Sequence, residues 1–315
     1  MTNVTLVAGF LLVGFSDIQE LQIVYGVLFL VIYLAILMSN LLIIILTTLD
    51  LQLQTPMYFF LKNLSFLDVF LVSVPVPNFI VNSLTNSNFI STLGCAFQLL
   101  LIISFSAGEV FVLTAMSYDR YVAICCPLHY EVIMNGGACV LMAGFSWAIG
   151  GLLGALYTAG IFFMPFCGSN VIPQFFCDVS SLLRISCSET ILVVYTIIGV
   201  AMCLGMSCFI CILISYVYIF STVLKIPTTK GQSKAFSTCF PHLIVFTLFI
   251  ITACSLYLKP SSNPPTVIDR LLSVIYTVVP PIVNPVIYSL RNKDMKRALM
   301  RLVHKTCGQE LLWVV

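Results

Sequence analysis

Seven stretches of this chain are each long and apolar enough to cross a lipid bilayer, and nothing else in the sequence constrains its fold as strongly. They run 24–49, 57–81, 95–124, 139–161, 191–221, 235–258 and 271–290. A membrane-crossing helix needs roughly 20 apolar residues, and each stretch supplies them even where Asp68, Glu109 or a proline interrupts it. A transmembrane barrel would instead show alternating segments of about ten residues, and none is present. The composition agrees. The chain is 60% hydrophobic and 8% charged over 315 residues, whereas a soluble domain carries about 25% charge. A soluble enzyme is excluded, as is disorder, which needs few apolar residues. A formal net charge of +2 also argues against nucleic acid as a partner. The fold expected is all-α: a seven-transmembrane helix bundle over 24–290, an N-terminal tail over 1–23, and a short amphipathic cytoplasmic helix with its tail over 291–315.

Charge placement orients the bundle. With the N-terminus outside, Lys62, Arg120, Lys225, Lys230, Lys234, Arg291, Lys293, Lys296, Arg297, Arg301 and Lys305 fall at or near the cytoplasmic face. Arg184, Lys259 and Arg270 are the remaining three of the 14 Lys and Arg, and they fall outside. This is a positive-inside bias, and an odd number of spans leaves the C-terminus inside. The apolar patch 6–15 has no basic residue before it and no small-residue cleavage site after it, so a cleaved signal peptide is not expected. Asn3-Val-Thr5 is an outward-facing glycosylation sequon. Asn63-Leu-Ser65 matches the same pattern at the inner end of span two, where no glycan can be attached.

The chain has 13 cysteines, of which Cys95, Cys167, Cys177 and Cys187 fall on the outer, oxidising side. Four cysteines allow three pairings, and the residues alone leave all three open.

Four motifs lie in order along the chain. Thr55-Pro-Met-Tyr-Phe-Phe-Leu61 enters span two. Met116-Ser-Tyr-Asp-Arg-Tyr-Val-Ala-Ile-Cys-Cys-Pro-Leu-His-Tyr130 ends span three. Lys234-Ala-Phe-Ser-Thr-Cys239 opens span six. Pro281-Ile-Val-Asn-Pro-Val-Ile-Tyr-Ser-Leu-Arg-Asn-Lys293 ends span seven. With seven spans and an outer N-terminus, these runs resemble the rhodopsin-like G-protein-coupled receptors and, more specifically, the olfactory (odorant) receptors, whose signatures read PMYFFL, MAYDRYVAICxPLxY, KAFSTC and PxLNPxIYSLRNK. The resemblance covers essentially the whole chain. It implies a non-enzymatic plasma-membrane receptor for small volatile odorants that activates a stimulatory olfactory-type G protein and raises cAMP. It also implies a Cys95–Cys177 disulfide joining span three to the second outer loop, and a Cys167–Cys187 disulfide within that loop.

Charges inside spans are expensive, so each one marks a functional candidate. Asp119, Arg120 and Tyr121 are expected to form a switch, with Asp119 holding Arg120 at rest. Glu109 lies 11 residues before Arg120, roughly 16 Å deeper at about 1.5 Å per residue, and Asp68 is central in span two. Two facing carboxylates must share a proton or bind a cation. Sodium at Asp68 and Glu109, with Asn40 and Asn284 helping to line the site, is the natural candidate, and no other cofactor is expected. Pro285 kinks span seven and carries Tyr288 towards Arg120. Tyr216 of span five is either its partner or an interfacial tyrosine.

The resemblance places the ligand pocket in the outer half of the bundle. Leu99, Ile102, Ile103 and Ser106 form one face of span three. Val200, Ala201, Leu204, Ile250, Ala253, Cys254 and Tyr257 come from spans five and six, and Val274 and Thr277 from span seven. Such a wall is almost wholly apolar, which suits small hydrophobic ligands. Span six departs from the family: Phe249-Ile250-Ile251 stands where Phe-Tyr-Gly is usual, and Pro241 precedes His242 where serine is usual. Gly150, Gly151 and Gly154 form a small-residue patch that suits either helix packing or a dimer contact.

Past span seven, Met295, Leu299, Leu302 and Val303 share one helical face opposite basic residues. This is the pattern of a helix lying on anionic inner-leaflet lipid. Cys307 beyond it is either a palmitoylation site or a plain thiol. A transporter would show repeats and broken midplane helices. An enzyme would show a motif such as HExxH or GxSxG. His129, His242 and His304 are scattered, and neither motif is present.

Overall fold

The computed structural model describes residues 8–16, 18–167, 169–186, 191–257, 267–291 and 293–310. Strand β1 (Gly9–Leu12) precedes α1 (Gln19–Leu49). After a 3-10 turn at Leu51–Leu53 come α2 (Pro56–Ser73), α3 (Pro75–Thr85) and β2 (Phe89–Ser91). Helix α4 (Thr92–Cys125) leads through a 3-10 turn at Pro127–His129 and the single turn α5 (Tyr130–Ile133) into α6 (Gly136–Phe162). Strand β3 (Val171–Ile172) and α7 (Val179–Ile185) follow, then α8 (Ile191–Val223), α9 (Thr229–Tyr257), α10 (Val267–Arg291) and α11 (Lys293–Glu310). Seven spans are long and apolar enough to cross a membrane, with α2 and α3 together forming the second.

Local chemistry sets the boundaries. Ser91 and Asn135 cap α4 and α6, their side-chain oxygens accepting from the backbone N–H of Gly94 at 3.1 Å and Ala138 at 2.9 Å. Helix α4 stops at Cys126, ahead of Pro127. The second span is broken at Val74 because Pro75 and Pro77 have no N–H to give to the preceding turn. In α10, Pro285 leaves the Pro281 carbonyl without its helical donor. Asn40 of α1 supplies one from its side chain at 3.0 Å, so the kink is satisfied by a neighbouring helix.

Helices α4 and α6 approach closely through glycine. A Cβ on Gly150 would lie 2.4 Å from the Ser104 carbonyl, and one on Gly154 would lie 2.5 Å from that of Leu100. These two glycines therefore pack inside the bundle, whereas Gly151 faces open space. Trp147 of α6 donates to the Asn63 side chain of α2 at 3.1 Å, so the asparagine of the second sequon is half-buried and engaged in a helix contact.

A three-stranded sheet lies at the end of the bundle that carries the Cys95–Cys177 disulfide. Strand β1 is central, antiparallel to β2 and parallel to β3. Its strands are too short for sequence periodicity to reveal. Phe10, Leu12, Ile90 and Ile172 are buried beneath it, so the apolar patch near the N-terminus is a structural plug.

Candidate functional site

Polar groups form a column through the apolar bundle. At its centre, Asn284 of α10 donates from Nδ2 to both carboxylate oxygens of Asp68, each at 3.1 Å. Glu109 of α4 lies in hydrogen-bonding contact with Asp68. All three are buried. Glu109 Oε1, Asn40 Oδ1 and Ser106 Oγ are buried without a hydrogen-bond partner among the described residues. A bare buried acceptor costs about 1–3 kcal/mol, so the bare Oε1 of Glu109, on a carboxyl group in contact with a second one, is an oxygen suited to a hard cation.

Below this site, His242 of α9 ties three helices together. Its Nε2 lies 2.9 Å from the Leu113 carbonyl of α4, and its Nδ1 lies 2.7 Å from the Tyr216 hydroxyl of α8. A carbonyl can only accept. Nε2 therefore carries a proton and donates to that carbonyl, and in the neutral ring Nδ1 accepts from Tyr216. Tyr216 is thus engaged with His242. The Tyr288 hydroxyl, buried on α10, has no partner among the described residues. Sequence reasoning missed His242, because its partners lie 26 and 129 positions away.

At the far end, Arg120 bonds its neighbour Asp119, with Nε to Oδ2 at 2.9 Å and Nη2 to the same oxygen. Asp119 is wholly buried and also accepts from the Tyr130 hydroxyl of α5 at 2.7 Å. Burial, followed by the Asp119 carboxylate, pushes the Tyr130 phenol above its usual range, so it remains a donor. Tyr121 is half-buried, its ring 6.0 Å from that of Tyr218. Leu128, in the adjoining loop, is 94% exposed.

The expected ligand residues divide. Leu99, Ile102, Ser106 and Thr277 are buried, and Ile103, Ala201, Leu204, Ile250 and Val274 are half-buried. Thr277 spends its hydroxyl on the Ser273 carbonyl at 2.8 Å, which leaves Ser106 as the uncommitted hydroxyl of this group. Val200 is a correction: it is 51% exposed. It sits one residue, about 100°, round the helix from Ala201, off the buried stripe of Val194, Cys208, Ile212 and Tyr216. Ala253, Cys254 and Tyr257 lie in the last turns of α9, where the described structure is backbone alone.

Cys95 is bonded to Cys177, and the Gln98 side chain accepts from the Cys177 N–H at 2.8 Å. Cys167 is also disulfide-bonded. Cys187 and Asn3 lie outside the described residues.

Known proteins resemble the chain along its whole length. A family model described as olfactory receptor matches residues 29–306. Human olfactory receptor 14A2 is 78% identical over 314 residues, covering 100% of both chains. Human olfactory receptor 14A16 is 53% identical over 303 residues, covering 96% of this chain and 98% of that one. Squid rhodopsin, at 18% identity, shares the fold with a TM-score of 0.71 over 93% of this chain and 89% of its own. The chain belongs to the olfactory receptor family, within the rhodopsin-like G-protein-coupled receptors, and is a multi-pass membrane receptor rather than an enzyme.

Proposed function

We propose that this receptor sits in the plasma membrane with its N-terminus outside and its C-terminus in the cytoplasm. It binds small, mostly apolar odorants in the outer half of the bundle and activates a stimulatory olfactory-type G protein, raising cAMP. The observation that carries the reading is the polar column itself. Within a bundle that is otherwise apolar, three separate bonded clusters lie between the level of Ser106 and Arg120: Asp68 with Asn284, His242 with Tyr216 and the Leu113 carbonyl, and Arg120 with Asp119. A ligand seated against Leu99, Ile102 and Ser106 presses on the helix that carries Glu109 and Arg120. The contacts that must change on activation are the His242 bridge from α9 to α4 and the Asp119–Arg120–Tyr130 cluster. Leu128, an exposed leucine beside that cluster, offers a knob to a protein partner.

Asp68 and Glu109, with Asn40 and Asn284 helping to line the site, are the residues that would hold a sodium ion. Bound there, the ion would offset one carboxylate charge and favour the resting packing. Helix α11 buries Met295 and Ala298 against the bundle and leaves Leu299 and Val303 exposed, which supports a seat on the inner leaflet. Cys307 follows as a candidate palmitoylation site, and Asn3 as a glycosylation site.

The test is a cAMP reporter screen of the full chain against a panel of volatiles, with Arg120→Ala as control and surface staining of both. A volatile that raises cAMP in the wild type but not in the equally expressed variant supports the reading. A surface-expressed wild type that stays silent when co-expressed with the stimulatory olfactory-type G protein, but signals through another G-protein class, overturns the coupling assignment.

A further inference from the structure

From β1 the chain continues as a strap, Val13–Ser16, that three elements hold down. The Val13 N–H donates to the carbonyls of Ile172 at 3.0 Å and Gln174 at 3.1 Å. Arg270, near the start of α10, donates from Nη1 to the Gly14 carbonyl at 2.7 Å. Gln22 of α1 donates from Nε2 to the Ser16 carbonyl at 2.7 Å. Between these points the Phe15 ring sits among Tyr25, Phe29, Phe79 and Phe175, with centroids 5.4–5.9 Å away.

Beneath the strap is a small cavity with room for one water, walled by Phe15, Phe79 and Phe175 on its aromatic side and by Gln22, Asn82 and Ser83 on its polar side. Gln22 is 7% exposed, and its Oε1 has no hydrogen-bond partner among the described residues. Two of the other three residues that hold the strap share this pattern: Arg270 Nε and Gln174 Oε1 are also buried without partners among the described residues. Buried amide carbonyls are rarely left bare, and a polar cavity of this size is just large enough for one ordered water. An apolar guest of equal size would fit the aromatic wall but leave the carbonyl unmet.

We propose that this cavity is a binding site for a single protic guest, water, that donates to Gln22 Oε1, and that the strap seated on it is a lid over the outer end of the bundle. The closed lid rests on a few directed contacts and one exchangeable water. Losing that water together with the Arg270–Gly14 bond frees Val13–Ser16 and opens the route between α1, α3 and α10. The gating role rests on the receptor reading above; the hydration site does not.

The test uses the full chain in lipid nanodiscs without ligand. Radiolytic footprinting after rapid mixing into oxygen-18 water should show Phe15 and Phe79 still incorporating unlabelled oxygen from the trapped water. Phe163, 88% exposed, should take up the new isotope at once. Gln22→Leu should abolish the retained signal and raise amide hydrogen exchange over 9–16 about tenfold, with the helices unchanged. Arg270→Gln should raise strap exchange in the same way without touching the water acceptor, which keeps the proposal testable if Gln22→Leu folds poorly. Bulk-rate isotope uptake at Phe15 in the wild type, or unchanged strap exchange in a folded variant, overturns the proposal. Neither readout needs an odorant, so a failure of the odorant assignment would appear separately, as a silent cAMP screen with an intact hydrated strap.

Discussion

Tyr130 contributes one hydroxyl to a wholly buried carboxylate that is also the anchor for Arg120. Replacing it with phenylalanine removes that donor and leaves the ring. A hydrogen bond to a charged group contributes about 1.5–3 kcal/mol. Tyr130→Phe should therefore weaken the resting cluster and raise basal cAMP roughly tenfold or more, at about 1.4 kcal/mol per decade, once corrected for surface expression. A basal level equal to wild type would place Tyr130 outside the switch. His242→Leu strands the buried Tyr216 hydroxyl and unties α9 from α4, so it should also raise basal signalling. Tyr216→Phe in the same background should add little, because the two residues share one hydrogen bond. The Asp119–Arg120 pair was legible from its motif. The roles of Tyr130 and His242 were not, since each depends on a partner brought close only by the packing of separate helices.

Glycine spacing announced a close contact in α6 without saying with what. The packing answers residue by residue: Gly150 and Gly154 face α4, and Gly151 faces outward. Gly154→Ala would press its Cβ against the Leu100 carbonyl and the Ser104 side chain, and overpacking of this kind costs about 1–3 kcal/mol. The expected result is a clear loss of melting temperature in detergent for Gly154→Ala and none for Gly151→Ala. Helix α11 allows a similar comparison. Arg301 bonds Asp50 through Nε at 2.9 Å and Nη2 at 2.6 Å, but its side chain is 42% exposed. Such a pair contributes about 0–1 kcal/mol, less than the burial of Met295. Partial burial would raise the Asp50 pKa, but the Arg301 and Gln52 hydrogen bonds outweigh it and the net shift is downward. The pair's contribution is therefore present above the unfolded aspartate value of about 3.9 and fades only as pH falls through the lower folded value. At neutral pH, Asp50→Asn should leave α11 protected from hydrogen exchange, whereas Met295→Asp should release it. The seven spans and α11 were legible because 3.6-residue periodicity and apolar length are local signals. The three-stranded sheet was not, because two- to four-residue strands paired across distant segments leave no periodic trace.

Across the whole molecule the scarcity of charge is what gives the few buried charges their leverage. With lipid outside and apolar helices inside, Asp68 and Glu109 are shut away from bulk water. Either a proton or a cation must neutralise them, and the two choices predict different behaviour. A shared proton makes resting stability depend on pH and not on the identity of the salt. A sodium ion makes it depend on sodium, because a ligand bound only by the folded resting state stabilises it by RT ln(1 + [L]/Kd), about 1.4 kcal/mol at ten times Kd. The bare Oε1 of Glu109, on the carboxyl group beside Asp68, favours the ion. The ligand-free receptor should therefore melt a few degrees higher in sodium chloride than in equimolar choline chloride. The difference should vanish in Asp68→Asn, whose own amide can meet Glu109, and should shrink in Glu109→Gln. Saturating agonist should lower apparent sodium affinity by the same factor by which sodium lowers agonist affinity, as linkage requires. Equal melting in both salts for the wild type would assign the site to a shared proton, and the bare oxygens would then call for ordered water in place of the ion.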